Sequence, residues 1–325
     1  MRVSGEQHQI GLGLAALGRP GYINLGHAGD LGHDYDVAAM QAHAHAVLDA
    51  AWRSGVRYFD AARSYGRAEE FLGAWLRARR ISPAEVVVGS KWGYAYTAGW
   101  QVHAAAHEIK EHSLAQLRRQ WPESQANLGG YLRLYQIHSA TRESGVLDDT
   151  AVLAALADLK RAGIAIGLSV SGPAQAATLE RALEIAIDGV RLFDSAQATW
   201  NVLETSAGPM LERASATGMH IIVKEALANG RLTTRNADPA FAAGRAVLER
   251  EAARLGASED ALALAAALAQ PWAGVVLSGA ATVAQLESNM RALDLALDDQ
   301  ARAALATLAE PADRYWATRK ALAWN

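Results

Sequence analysis

Asp60, Tyr65, Lys91 and His138 place a carboxylate, a phenol, an amine and an imidazole at or just beyond the ends of short apolar runs. Such a set can donate, accept and stabilise protons. Asp60 closes the run Val56–Phe59, with Tyr65 just beyond. Lys91 closes Val86–Ser90, and His138 closes Leu132–Ile137. Other runs end in Ser169 and Ser171, lead to Gln197 and Asn201, or end in Lys224 and Glu225. Each residue alone has an ordinary reading. An Asp at a strand end is usually a turn residue, a Tyr nearby usually packs, and a Lys can pair with a surface acid. Together they are more than a fold needs.

Other groupings read as structural. His103, His107 and Glu111 lie four apart on an expected helical face, as metal ligands can. That helix would lie outside the barrel, however, and no further ligand accompanies it, so no metal is expected. His107-Glu108-Ile109-Lys110-Glu111-His112 spaces its histidines one residue too far for a zinc-protease motif, turning the second off the face of the first. His43 and His45, two apart, diverge on a helix. Gly11-Leu12-Gly13-Leu14-Ala15-Ala16, with Asp34 downstream, fits a loose dinucleotide fingerprint. Gly18-Arg19-Pro20-Gly21 then continues as a loop where a helix should open.

The elements that must position these groups alternate along the chain. Apolar runs occur at Ile10–Ala15, Val56–Phe59, Val86–Ser90, Leu132–Ile137, Ile164–Val170, Val190–Phe193, His220–Val223 and Ala273–Leu277. Helical patterns lie between them near Val37–Ser54, Arg67–Arg80, His103–Arg119, Thr150–Ala162, Ala174–Ile187, Ser206–Thr217 and Phe241–Leu255. An eighth follows at Val283–Leu293. Gly55, Gly163, Gly189 and Gly218 stand where a helix C-terminal cap wants a left-handed residue. Continuous apolar runs suit strands buried on both faces of a parallel sheet. Eight such units predict an α/β fold, a single-domain (β/α)8 TIM barrel over residues 1–325, with an open doubly wound sheet as the alternative. In a barrel, the strand C-terminal ends carry the active site.

Composition narrows the classes. With 51% hydrophobic and 20% charged residues, the 325-residue chain can bury a large core, which excludes wholesale disorder. Thirty-one Lys and Arg against 34 Asp and Glu exclude a broadly basic nucleic-acid binder. The absence of cysteine removes disulfides, Cys-ligated metal centres and thiol catalysis, and fits a reducing compartment. The N-terminal MRVSGEQHQ lacks the apolar core of a secretion signal. The longest uncharged run, Ala261–Leu286, is interrupted by Gln270-Pro271 and reads as a helix, a loop and a buried strand. These features predict a cytoplasmic chain with no membrane or nucleic-acid partner; they leave its oligomeric state open.

The segment Val56-Arg57-Tyr58-Phe59-Asp60-Ala61-Ala62-Arg63-Ser64-Tyr65-Gly66, with Glu70 beyond, resembles the signature of the aldo-keto reductase superfamily. Val87–Lys91, Leu134–His138, Gly167-Leu168-Ser169, Gln197–Asn201 and Ser278–Asn289 resemble its later segments in order, over roughly residues 10–295. The resemblance implies hydride transfer between a nicotinamide and a carbonyl or alcohol: an aldehyde, ketone or sugar. It implies Tyr65 as general acid or base, Lys91 lowering the phenol pKa from about 10, Asp60 orienting Lys91, and His138 donating to the carbonyl oxygen. NADP(H) is the family's usual cofactor. By resemblance, Ser169, Gln197, Lys224, Leu227, Ser278, Gly279, Ala280, Thr282, Gln285 and Asn289 would hold it.

Three departures from the family pattern stand out. Ser169-Val170 lacks the Asn amide that commonly holds the carboxamide, leaving Ser169 and Gln197. Lys224-Glu225-Ala226-Leu227 replaces the aromatic residue that commonly stacks on the nicotinamide, so Lys224 would meet pyrophosphate or pair with Glu225. Ser278–Leu286 has no Lys or Arg for a 2′-phosphate, which points to NAD(H). Tyr22, Trp92, Trp200 and Trp316 are candidate substrate walls. Two other functions compete with the oxidoreductase. A cofactor-binding regulatory subunit of the same fold need not retain all four catalytic groups. A metal-dependent barrel hydrolase would need histidines at the end of the first strand, which reads Leu14-Ala15-Ala16-Leu17.

Overall fold

Eight parallel strands close on themselves in the computed structural model, which describes residues 9–325. They are β1 (Gln9–Gly13), β2 (Tyr58–Asp60), β3 (Val87–Trp92), β4 (Leu132–Ala140), β5 (Ala165–Val170), β6 (Ser195–Thr199), β7 (His220–Lys224) and β8 (Val275–Ser278). Each pairs with its chain neighbour, and β8 closes onto β1. The TIM barrel is therefore present and the open sheet is excluded. Gly11 of the loose fingerprint lies inside the barrel: a Cβ there would come within 2.8 Å of Val275 Cγ1. The expectation about the N-terminal residues lies outside the described residues.

The surrounding helices are α1 (Val37–Arg53), α2 (Ala68–Ala78), α3 (Leu114–Leu128), α4 (Thr150–Arg161), α5 (Gln175–Leu183), α6 (Gly208–Ala216), α7 (Ala242–Arg254), α8 (Glu259–Leu268) and α9 (Val283–Met290). Two more, α10 (Asp299–Ala306) and α11 (Ala312–Lys320), follow the barrel. Side chains of Asp36, Ser113, Asp149, Ser258, Thr282 and Asp298 accept otherwise unpaired backbone N–H groups at helix starts. Gly55, Gly163 and Gly218 take φ of +89°, +95° and +82° just past α1, α4 and α6, where a Cβ would be strained. Buried Glu69 ties α2 to its neighbours. It accepts from Ser90 Oγ and Ser124 Oγ at 2.6 Å each and pairs with Arg63 at 2.8 Å. Among the described residues, no helix is long and apolar enough to cross a membrane.

Four expectations about elements need correction. The sixth strand is not Val190–Phe193 but Ser195–Thr199. Val190 is exposed, and Val190–Arg191 pairs antiparallel with Ala186–Ile187 around Gly189. The true strand has little hydrophobic signal because the barrel interior there is narrow: a Cβ on Gly167 would lie 2.3 Å from Ser195 Oγ. The helix expected at His103–Arg119 starts only at Leu114. Before it, Glu108–Lys110 pairs antiparallel with Tyr94–Tyr96. His103, His107 and Glu111 therefore share no helical face. Phe241–Leu255 is largely α7, but the buried helix in contact with β8 is α8, within the alanine-rich run.

Candidate active site

The parallel register delivers the reactive side chains to one rim. Asp60 lies beside Gly13 and Gly89, Lys91 beside Gln136, Ser169 beside Gln197, and Thr199 beside Lys224. Tyr65 follows in the turn after β2. Its backbone is held by Tyr65 N donating to Ala62 O at 3.1 Å and Arg63 N to Lys91 O at 3.0 Å. Asp60, Tyr65, Lys91 and His138 are thus brought together, as the sequence predicts.

Lys91 has no exposed surface. Its Nζ pairs with Asp60 Oδ2 and donates to Ala61 O at 3.0 Å and Tyr65 Oη at 3.4 Å. The other Asp60 oxygen accepts from Gln197 Nε2 at 2.9 Å, Tyr58 Oη at 3.3 Å and Gln136 Nε2 at 3.4 Å. Gln197 therefore supports Asp60 as well as facing the cavity. The His138 ring lies edge-on to Tyr65 at 5.4 Å, and its Nδ1 lies 3.3 Å from Ser64 Oγ. If Ser64 donates to Nδ1, Nε2 carries the proton and is the donor. Burial, helped by the Lys91 and Arg19 charges, holds His138 well below the ordinary imidazole range, so the ring is neutral. Tyr65 departs from the expectation of a lowered pKa. Burial pushes it well above the usual phenol value, Asp60 adds to the rise, and Arg19 opposes it. The Lys91 charge is already engaged by Asp60.

A cavity of about 580 Å³ opens above these groups and continues along the rim to the start of α9. Ser169, Gln197, Lys224 and Leu227 line one stretch; Ser278, Gly279, Ala280, Gln285 and Asn289 line the far end. Thr282 does not line it but caps α9 by accepting from Gln285 N at 3.2 Å. Ser169 Oγ accepts from Ser139 N at 2.8 Å. A Cβ on Gly279 would stand in open space, with Asn24 Nδ2 nearest at 3.9 Å. Small side chains, the α9 N-terminus and a long channel fit an extended dinucleotide with its pyrophosphate near α9. Lys224 donates to Thr199 Oγ1 at 2.7 Å and lies 3.5 Å from Glu225. Burial lowers Lys224 to about 8 against the pull of Glu225. Burial would raise Glu225, but the Arg319 and Lys224 charges win and hold it at about 2.

Of the expected substrate walls, Tyr22 lines the cavity and three tryptophans do not. Trp92 is fully buried against His112, its ring 5.9 Å away. Trp200 packs on Trp272 at 5.8 Å, and Trp316 packs on Tyr315 at 5.6 Å. These side chains point into core layers behind the rim. Trp324, which sequence reasoning missed, lines the cavity in their place and stacks on His107 at 3.9 Å. Asn325 holds it there through paired backbone hydrogen bonds with Tyr22 at 3.1 Å each. Arg19, Glu108, Asp30, Arg235 and Arg319 also line the cavity and carried no spacing signal. Among the described residues, no three His, Cys, Asp or Glu side chains gather as a metal site.

A family model described as the aldo/keto reductase family matches residues 10–310. Pyridoxal 4-dehydrogenase of Microbacterium luteolum is 33% identical over 138 residues, which cover 35% of this chain and 39% of that protein. The chain thus spans well under half of that relative's length. An uncharacterized oxidoreductase of Bacillus subtilis, YqkF, is 26% identical over 271 residues, covering 76% of this chain and 80% of that one. The solved holo structure of an aldo-keto reductase from Bacillus halodurans superposes with a TM-score of 0.70 at 21% identity, covering 94% and 93% of the two chains. That likeness shows a common fold.

Proposed function

The chain belongs to the aldo/keto reductase family, and on that premise we propose that it interconverts carbonyls and alcohols, with Tyr65 giving and taking the proton. The carrying observation is Tyr65 Oη within 3.4 Å of Lys91 Nζ, beside the His138 ring, at the edge of a channel reaching α9. A nicotinamide, when bound, supplies or accepts the hydride. In reduction, Tyr65 protonates the carbonyl oxygen while His138 Nε2 donates a hydrogen bond to it. Lys91 stabilises the phenolate left behind, and Asp60 keeps Lys91 aimed. In oxidation the same phenolate takes the alcohol proton. Cofactor fluorescence titration followed by turnover with a carbonyl panel tests this. Tight binding with no turnover of any carbonyl or alcohol would favour a regulatory subunit instead.

The aromatic Tyr22 and Trp324 walls support aromatic and cyclic aldehydes as first substrates to try. The pyridoxal-oxidising relative, matched over only part of its length, adds to that choice.

NAD(H) is expected to be used at least as well as NADP(H). No basic residue lies on Ser278–Met290. Of the cations that could reach over, Arg231 is held by Glu310 at 2.6 Å and Arg291 is exposed on the next turn. Arg235 lines the cavity but forms a two-pronged pair with Asp30, which also accepts from Gln285 Nε2 at 2.9 Å. A 2′-phosphate, at about −1.5 to −2 charges, would meet that carboxylate together with Arg235. Values of kcat/KM for both cofactors with one substrate check this. A strong NADPH preference that survives both Arg235→Ala and Arg291→Ala would overturn it.

A further inference from the structure

The geometry points to Arg19 as an anion-binding subsite beside Tyr65, selecting carbonyl substrates that carry an acidic oxygen such as a carboxylate or ionised phenol. This rests on the oxidoreductase reading above and narrows its substrate class. Arg19 lies in the loop after β1 and is 2% exposed, yet it lines the cavity. Its Nη1 donates to Ser64 O at 3.1 Å and Glu108 Oε2 at 3.0 Å. Its Nε is buried without a partner, and Nη2 has no hydrogen-bond partner among the described residues. A guanidinium has five N–H donors in a fixed fork. Here one terminal nitrogen anchors the fork and the remaining donors are unmatched, which is costly for a buried cation unless something else accepts them.

The surroundings indicate the kind of acceptor. The guanidinium carbon lies 5.2 Å from the Tyr65 ring centre, 5.0 Å from Tyr22 and 4.8 Å from Trp324. A group bound to Arg19 would therefore sit close to a carbonyl presented to Tyr65 and against flat aromatic walls. Asp60 is paired with Lys91, Glu108 with Arg19, and Glu225 with both Lys224 and Arg319. Glu108 pairs with Arg19 through Nη1, leaving Nη2 as the donor that an oxyanion in the cavity can reach. A neutral sugar hydroxyl would gain less from the same donors, because it brings no opposite charge to the guanidinium and no second acceptor oxygen in the same plane.

The test compares kcat/KM for 3-carboxybenzaldehyde and its methyl ester, a pair with matched ring and aldehyde. The expected result is a preference for the acid of about tenfold or more, the scale of one charge-assisted hydrogen bond. The preference should disappear in Arg19→Met and partly persist in Arg19→Lys. If Arg19 only pinned the Ser64–Tyr65 turn, Arg19→Met would slow both substrates alike and leave the ratio unchanged, which would reject the subsite. Should the variants fail to fold, inhibition of the unaltered enzyme decides: benzoate must compete with the aldehyde better than benzamide, and equal competition overturns the idea. Turnover of both aldehydes without acid preference rejects Arg19's role alone. Turnover of other carbonyls in the panel but of neither benzaldehyde rejects the subsite alone, whereas cofactor binding with no turnover of any carbonyl or alcohol rejects the oxidoreductase reading and the subsite with it.

Discussion

Tyr65→Phe should lower turnover by about 10²–10⁴-fold, the range for a positioned general acid. Affinity for the nicotinamide cofactor should stay close to that of the unaltered chain, because among the described residues Tyr65 Oη loses no hydrogen bond other than that from Lys91, at 3.4 Å. The phenyl ring keeps the edge contact with His138 and the Arg19 guanidinium over its face. The pH dependence follows from the direction of the Tyr65 shift. A phenol pushed above its ordinary value by burial is protonated throughout the neutral range. Carbonyl reduction should therefore be flat with pH near neutrality. Alcohol oxidation, which needs the phenolate, should rise with pH across the same interval. Steady-state kinetics in both directions, with cofactor binding followed by fluorescence, measure all of this. Turnover near that of the unaltered chain in Tyr65→Phe would remove Tyr65 from the proton-transfer role.

The fold and the position of the candidate site were legible in the sequence because each candidate residue ends or follows a run apolar enough to mark a buried strand; the roles proposed for these residues came from the family resemblance. Asp60, Lys91 and His138 end such runs, so barrel closure alone places them on one rim. The sixth strand lacked this mark. Ser195-Ala196-Gln197-Ala198-Thr199 is wholly buried, but space near Gly167 limits it to small side chains, and Val190 looked like a better strand than it is. The tryptophan walls failed for a related reason. Composition says that a large ring is buried, whereas facing the core or the cavity depends on which loop folds over which rim. Trp324 reaches the site through backbone pairing of Asn325 with Tyr22, two segments some 300 residues apart. Arg19 was hidden likewise. Its importance lies in unmatched donors and three surrounding rings, and neither property has a spacing along the chain.

Lys91→Met should cost stability as well as activity, and a second substitution should separate the two. Lys91 and Asp60 are both almost fully buried and directly paired. Among the described residues, removing Lys91 alone leaves a buried carboxylate with neutral donors: Gln197 at 2.9 Å, Tyr58 at 3.3 Å and Gln136 at 3.4 Å. Breaking a buried ion pair from one side typically costs about 3–5 kcal/mol, mostly from the charge left behind. Asp60→Asn/Lys91→Met removes both charges while nearly preserving side-chain volume. Much of the lost stability should then return, because a neutral amide needs no compensating ammonium. Activity should not return, because stabilising the Tyr65 phenolate requires a cation at this position and the 3.4 Å contact has no substitute. Urea unfolding of the two single variants and the double variant forms a double-mutant cycle, with turnover measured on the same samples. A double variant destabilised by the full sum of the single effects would show that the two charges are not coupled in the folded chain. Recovery of turnover together with stability would mean that the pair serves the fold alone and that Tyr65 gives and takes its proton without Lys91.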